Sequence, residues 1–415
     1  MKLLCILDSV EFPLAPTPAI ARRAVALLAQ QGHTVHFLEL YNGSVVPPEY
    51  PGCTRTLVPF ADESKMNEIL EFGNSGGTPV PLRLAKLCLY PAAAWAAVQQ
   101  IALKKPRRIS AAIRAIEQLD KQHHFDAAIA VAAPYAASFA LAQAKFGGKK
   151  ASWQMDPYAA NHSYHAANAY QKETALCSAL DAIFIAPAMQ QYYLPDAPFA
   201  AFAHKAHVLD FPSLVPCPKE AANKAAQNQQ IHCVFVGSLY PQIRTPHYAL
   251  ELFAALNDPN VTLTFVGGGW ENYPQDLLDS YRRILGNRLV VTGPLPASQA
   301  AEHLSNADVL LSLGNSVDNQ VPSKIFEYFA AGKPVLHLAK IKNDPSLAYF
   351  SRWPLALCLQ ESEGVGQSVQ ATLRDFLHQK GHCRLSFEQA QQLFEQNTPQ
   401  AAARCLISVL QEEPS

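Results

Sequence analysis

Two α/β domains in tandem, each a parallel sheet wound with helices, is the fold class this sequence predicts. Three observations carry it. The chain has 415 residues, too many for one ordinary core and enough for two domains of about 200 residues each. Short apolar runs alternate with helix-patterned segments, first near the N-terminus and again beyond residue 230, the order that builds parallel sheets. Between the two series, "PSLVPCPKEAANKAAQNQQ" (212–230) carries three prolines and then a polar, glutamine-rich run, which reads as a linker.

The elements follow in order. "KLLCILD" (2–8) reads as a first buried strand. A loop leads to the helical pattern "TPAIARRAVALLAQQG", closed by Gly32, and "TVHFLEL" (34–40) is the next strand. Residues 60–125 read mostly as helix. "DAAIAVA" (126–132), "KASWQM" (150–155), "AIFIAP" (182–187) and "HVLDF" (207–211) continue the first sheet. The stretch 127–144 is mostly alanine and is broken by Pro134. A membrane-spanning helix needs about 20 strongly apolar residues, so this stretch reads as a strand followed by a helix. Beyond the linker come six runs: 231–238, 261–268, 289–293, 307–313, 334–339 and 355–360. Residues 386–396 and 399–413 read as terminal helices. The predicted divisions are 1–215, 216–385 and 386–415, the last packing back on the first.

Composition narrows the function. Lys plus Arg (33) nearly cancels Asp plus Glu (34), so no electrostatic excess points to nucleic acid. Nine cysteines without a C-x-x-C read as reduced thiols rather than a disulfide or zinc framework. The opening "MKLLCILDSV" has too short an apolar run for a signal-peptide core. The expected location is cytoplasmic.

The stretch that bears on chemistry is "VPSKIFEYFAAGKPVLHL" (321–338). Pro322 suits a first helical position, and Gly332 with Pro334 suits the stop. Ile325, Phe326, Phe329 and Ala330 make an apolar face. Ser323, Lys324 and Glu327 are left at the helix start and first-turn rim. A helix start favours a nearby anion by about 0.3–1 kcal/mol, and a Ser hydroxyl with a Lys ammonium adds to a phosphate site. A carboxylate one turn on can accept hydrogen bonds from two adjacent hydroxyls, as on a ribose. The same spacing also makes an ordinary surface ion pair worth a few tenths of a kcal/mol. Physics alone leaves both readings open.

"PSKIFEYFAAGKPVL" resembles the donor-site motif of glycosyltransferases with two Rossmann-like domains facing a cleft, the GT-B architecture, and especially the large family 4 group. The resemblance extends through "VFVGSLYPQIRTPHYALELF" (234–253), "LTFVGGG" (263–269) and "LSNADVLLSLGNS" (304–316), and over the N-terminal part through its order of elements. It implies a transferase moving a sugar from a nucleotide-diphosphate sugar to a glycan or lipid-linked acceptor, in surface polysaccharide or glycan synthesis. Glu327 would then hold the ribose, and Pro322 and Ser323 would sit by the diphosphate. Gly237 and Ser238 would lie against the phosphates, and Gly267 and Gly269 near the base. Arg244 would neutralise the leaving diphosphate, with Lys324 sharing that duty.

Several positions depart from the family pattern. The first of its two glutamates is Asn319, which keeps hydrogen bonding without charge. Ser238 stands where many retaining members carry Arg. No His lies between Phe125 and Trp153, and the loop at 9–18 lacks the usual glycine pair. These departures keep two alternatives: a degenerate, nucleotide-sugar-binding partner subunit, or a nucleotide-sugar epimerase of the same architecture.

On the acceptor side, Asp156 in "WQMDPYAANHSYH" reads either as a general base with a raised pKa or as an Asp-Pro turn opener. Glu11 and His162, with His165 beside it, are acceptor-contact candidates or solvated loop groups. The sequence has no D-x-D, and no essential metal or other cofactor is expected. "KKPRR" (104–108) fits either a solvated loop or peripheral contact with anionic lipid on the inner face of the membrane.

Overall fold

A computed structural model describes residues 1–9, 16–41, 46–59, 107–161, 167–217 and 230–412. They divide into two compact units. One is Met1–Pro212 with Pro399–Ser415, and the other is Ser213–Thr398.

In the first unit the strands are β1 (Lys2–Ser9), β2 (Thr34–Tyr41), β3 (Cys53–Pro59), β4 (Ala127–Ala132), β5 (Lys149–Gln154), β6 (Ala182–Ile185) and β7 (Ala206–Val208). They form one sheet in the order β3-β2-β1-β4-β5-β6-β7, parallel throughout. Helices α1 (Pro16–Gln30), α2 (Arg107–His123), α3 (Ala136–Gln143) and α4 (Ala169–Ser178) connect them. Leu3 to Leu7 are fully buried, which a strand covered on both faces requires and which explains the unbroken apolar run. Strand β3 escapes sequence reading because it is a half-exposed edge carrying Thr54, Arg55 and Thr56. Those two threonines bond the ring of His36 on β2, at 2.8 and 3.0 Å.

Two buried ion pairs stand in this unit. Arg22 on α1 meets Glu39 on β2 at 2.6 Å, both about 1 % exposed. Arg108 pairs with the buried Asp8 at the end of β1, because an unpaired carboxylate there would be costly. This corrects one expectation. Arg108, the last residue of the basic run, belongs to a helix and an ion pair rather than a solvated loop; residues 104–106 lie outside those described.

The second unit holds β8 (Ile231–Val236), β9 (Val261–Val266), β10 (Leu289–Gly293), β11 (Val309–Leu313), β12 (Val335–Ala339) and β13 (Ala356–Gln360), in the order β10-β9-β8-β11-β12-β13. All pairs are parallel. Around them lie α5 (His247–Leu256), α6 (Gln275–Leu285), α7 (Ala297–Asn306), α8 (Lys324–Ala330), α9 (Leu347–Phe350), α10 (Gln367–Lys380) and α11 (Phe387–Leu393). Phe235, Phe265, Phe253 and Leu373 mark its main core. The last helix, α12 (Pro399–Gln411), packs on α1 and so belongs to the first unit. The C-terminal helical segment is thus shared: α11 stays with the second unit.

The end of α8 shows why the chain reads Gly-Lys-Pro there. Gly332 has φ +67°, and a Cβ on it would lie 2.0 Å from the Leu385 carbonyl oxygen, so only glycine closes the helix in this place. Lys333 is 3 % exposed. Its ammonium donates to the carbonyls of Leu304, Ser305 and Ala307 at 2.9, 2.6 and 2.6 Å, capping the C-terminus of α7.

Candidate functional site

In the second sheet, strand order reverses between β8 and β11, and the loops leaving their carboxyl ends flank the crevice where open α/β sheets bind ligands. Gly237 and Ser238 leave β8; Gly314 and Asn315 leave β11. The β8 and β9 loops touch. Gly267 has φ +139°, and a Cβ there would stand 1.9 Å from the Gly237 carbonyl oxygen. A Cβ on Gly269 would meet the Leu239 oxygen at 2.2 Å. The glycines of "LTFVGGG" therefore bring backbone against backbone, and the Gly237 and Gly267 N–H groups donate to the carbonyls of Val266 and Gly293 at 2.9 and 3.0 Å.

Arg244 is half-buried, and its Nε and Nη2 both donate to Asn315 Oδ1, at 3.1 and 2.8 Å. Burial lowers its pKa, opposed by Tyr240, Tyr328 and Asp344, yet a guanidinium stays charged in a protein. Among the described residues no carboxylate lies within ion-pair distance of it. Next to it, Lys340 donates to Thr245 Oγ1 at 2.9 Å and faces Glu361 at 3.5 Å.

Helix α8 begins later than the sequence suggests. Lys324 is its first residue, Ser323 stands at the N-cap position without a side-chain capping bond, and the Pro322 carbonyl accepts from Ile325 N–H at 3.1 Å. The entry is a tight three-residue turn, which moves Pro322 out of the helix. Ile325, Phe326, Phe329 and Ala330 are buried. Phe329 stacks on Phe394, centroids 4.4 Å apart and rings 4° from parallel, so α11 locks the helix in rotation. Glu327 is not buried. It is exposed and pairs with Lys324 at 3.1 Å, as the surface-pair reading describes, and both groups stand open to solvent. Asn319 is buried.

Tyr328 ties the pieces together. Its hydroxyl accepts from Val236 N–H at 3.2 Å and donates to the Val236 carbonyl at 3.3 Å, fixing α8 to the end of β8. Burial raises its pKa strongly; Glu327 adds to the shift and Arg244 opposes it. The phenol thus stands within electrostatic reach of both.

In the first unit, Asp156 follows β5 and is partly exposed. Burial pushes its pKa up to about 6. The Tyr135 hydroxyl donates to its main-chain carbonyl at 2.6 Å. Nearby, Glu173 on α4 is 1 % exposed and accepts from Ala159 N–H at 2.7 Å; burial pushes its pKa up to about 7. Glu11, His162 and His165 lie outside the described residues. Among the described residues no three His, Cys, Asp or Glu side chains form a group able to hold a metal ion, and no helix is long and apolar enough to cross a membrane.

Residues 230–342 match the family described as Glycosyl transferases group 1. No curated protein matches the chain in sequence. Solved structures do match over almost its whole length. Sucrose-phosphate synthase from Thermosynechococcus elongatus is 14 % identical with a TM-score of 0.62, over 99 % of this chain and 98 % of that one. The lipopolysaccharide outer core galactosyltransferase WaaB is 12 % identical with a TM-score of 0.57, over 99 % of each. Anabaena Alr3699/HepE, solved with UDP and glucose, is 14 % identical with a TM-score of 0.56, over 99 % and 97 %. At such identities the likeness is one of fold.

The chain has the GT-B fold, and its residues 230–342 match the group 1 glycosyl transferases.

Sequence reading missed Asn315, Tyr328, Lys333 and Lys340. Tyr328 was findable: it is the one tyrosine among the apolar residues of the motif helix, and a buried tyrosine needs a partner for its hydroxyl. Asn315 left no local signal, because its partner lies 71 residues away.

Proposed function

We propose that this chain is a glycosyltransferase that takes a nucleotide-diphosphate sugar as donor and transfers its sugar to a hydroxyl of a glycan or lipid-linked acceptor, in surface polysaccharide or glycan synthesis. The observation that carries this reading is Arg244, a half-buried cation with an amide partner and, among the described residues, no carboxylate in ion-pair range, beside the crevice at the strand-order reversal. A guanidinium held there out of ion-pair contact with a carboxylate suits an anionic ligand. Two structures of the same fold were solved with such ligands: Alr3699/HepE with UDP-glucose, and Starch Synthase IV from Arabidopsis thaliana with ADP and acarbose.

In this reading the second unit binds the donor. Glu327 exchanges its pairing with Lys324 for the ribose hydroxyls. Ser323, Gly237 and Ser238 sit by the diphosphate, Gly267 and Gly269 by the base, and Asn319 by the sugar. The bond from the anomeric carbon to the diphosphate breaks, and its electron pair goes to the departing oxygen. Arg244 and Lys324 stabilise that developing charge. The acceptor hydroxyl oxygen forms the new bond, and its proton passes to Asp156, whose pKa of about 6 suits a base working near neutrality. The cations are the protein's own, so no metal or other cofactor is required. The work takes place in the cytoplasm, at the inner face of the membrane where the acceptor is lipid-linked.

The test is a thermal-shift panel with UDP, GDP, dTDP, ADP and CMP on wild type and Glu327→Ala. A ligand at one hundred times its Kd adds about 2.7 kcal/mol, a rise of roughly 5–10 °C for a unit of this size. One nucleotide is expected to produce it, and Glu327→Ala to abolish most of it. No shift with any nucleotide would overturn the donor site.

A further inference from the structure

We infer that Asn315 is a positioning residue for glycosyl transfer: it orients the Arg244 guanidinium and, being neutral, leaves its charge to the departing diphosphate. This rests on the role proposed for Arg244. Two of that group's nitrogens converge on one oxygen, Asn315 Oδ1, at 3.1 and 2.8 Å. The amide cannot be turned over, since its NH2 would then face two donors. That NH2 donates instead to the Gln320 carbonyl at 3.3 Å. A carboxylate at this position would grip the guanidinium more tightly in a fork but would cancel its charge. An amide gives orientation without neutralisation, which is what a group aimed at a developing oxyanion needs.

The surroundings hold Asn315 in place. Ser316 N–H donates to the Ile243 carbonyl at 2.8 Å and Ser316 Oγ to the Gln242 carbonyl at 2.7 Å. These two bonds strap the β11 loop to the backbone just before Arg244. On the other side, Gly314 N–H donates to the Leu338 carbonyl at 2.8 Å. A Cβ on Gly314 would lie 2.4 Å from Asp344 Oδ2. Asp344 is itself fixed by Ser346 N–H at 2.8 Å and by His337 Nε2 at 3.2 Å, and His337 Nδ1 meets Ser312 Oγ at 3.1 Å. This Ser-His-Asp chain resembles a nucleophile relay in its residue types, but His337 is 0 % exposed. No substrate reaches it. It runs from the core to the loop that carries Asn315, and it is a support.

The experiment is calorimetric titration of the full chain with UDP, GDP and ADP, each against its nucleoside, for wild type, Asn315→Asp, Asn315→Ala and Arg244→Gln. Wild type is expected to bind one diphosphate more tightly than its nucleoside. Losing a bond to a charged group costs about tenfold or more in affinity, so Asn315→Asp is expected to weaken the diphosphate by about that factor and Asn315→Ala by less. Nucleoside affinity is expected to stay within about twofold, a split that a merely structural role would not produce. Melting curves check folding, and Asn315→Ser, which keeps a hydroxyl acceptor, replaces the Asp variant if that variant does not fold. Parallel loss of both ligands overturns the inference. So does an unchanged diphosphate affinity in the Asn315 variants while Arg244→Gln lowers it, with the proposed function left standing. If Arg244→Gln is silent, or wild type binds no diphosphate, the role of Arg244 falls and the inference with it.

Discussion

Replacing Lys333 by Met keeps a stem of similar length and removes three donors from the end of α7. The ammonium bonds three carbonyls, and a bond to a charged group contributes about 1.5–3 kcal/mol. Against this stands the burial of the charge, which pulls the Lys333 pKa from 10.5 to about 8, worth roughly 3 kcal/mol. The bonds outweigh the burial, and Lys333→Met is expected to cost the second unit about 3 kcal/mol. Calorimetry of the full chain should show one transition falling by roughly 6–12 °C. The pH dependence gives a second reading. The folded pKa lies below the unfolded one, so the folded unit binds fewer protons between pH 8 and 10.5, and wild type gains stability as pH rises through that window. Arg384 reinforces the depression, and Asp308 and Cys217 oppose it. The gap between wild type and Lys333→Met should therefore widen from pH 8 to 10. A melting point that stays level or rises in the variant would refute the reasoning, because the desolvation of a buried charge would then exceed its bonds, as it does for some buried ion pairs.

Two further outcomes are expected. Gly267→Ala meets a backbone oxygen at 1.9 Å in a conformation that L residues avoid, and should cost about 3 kcal/mol or more. Gly286→Ala, with φ +55° and open space around it, should cost only about 1–2 kcal/mol, and equal melting losses would show that the loop contact does not matter. Glu173→Gln tests the first unit. The folded Glu173 pKa is raised to about 7 from 4.5, so the folded unit holds extra protons in that window and loses stability as pH rises through it. The Gln variant should melt higher than wild type at pH 8 and match it at pH 4.5; an advantage independent of pH would rule out Glu173 as the source.

The second sheet could be read strand by strand because each strand appears as a short apolar run, and the inner strands β8, β9, β11 and β12 are buried on both faces. Strand β3 could not, since an edge strand alternating Thr54, Arg55 and Thr56 resembles a loop. Lys324 and Glu327 could be placed together because helical spacing makes them neighbours, but their exposure could not, because burial depends on what packs over the helix. That was decided by Phe394 and Tyr349, which cover the Phe326 and Phe329 side and leave Glu327 outside.

The chain by itself determined the periods of its elements, the helix stop at Gly332 and the residue types of a phosphate and ribose site, all properties of neighbours within a turn or a strand. Only the tertiary structure decided that Lys333 caps another helix, that Tyr328 holds the end of β8, and that Asn315 faces Arg244. Those contacts exist because strand order sets β8 beside β11, and no local period records which strands become neighbours.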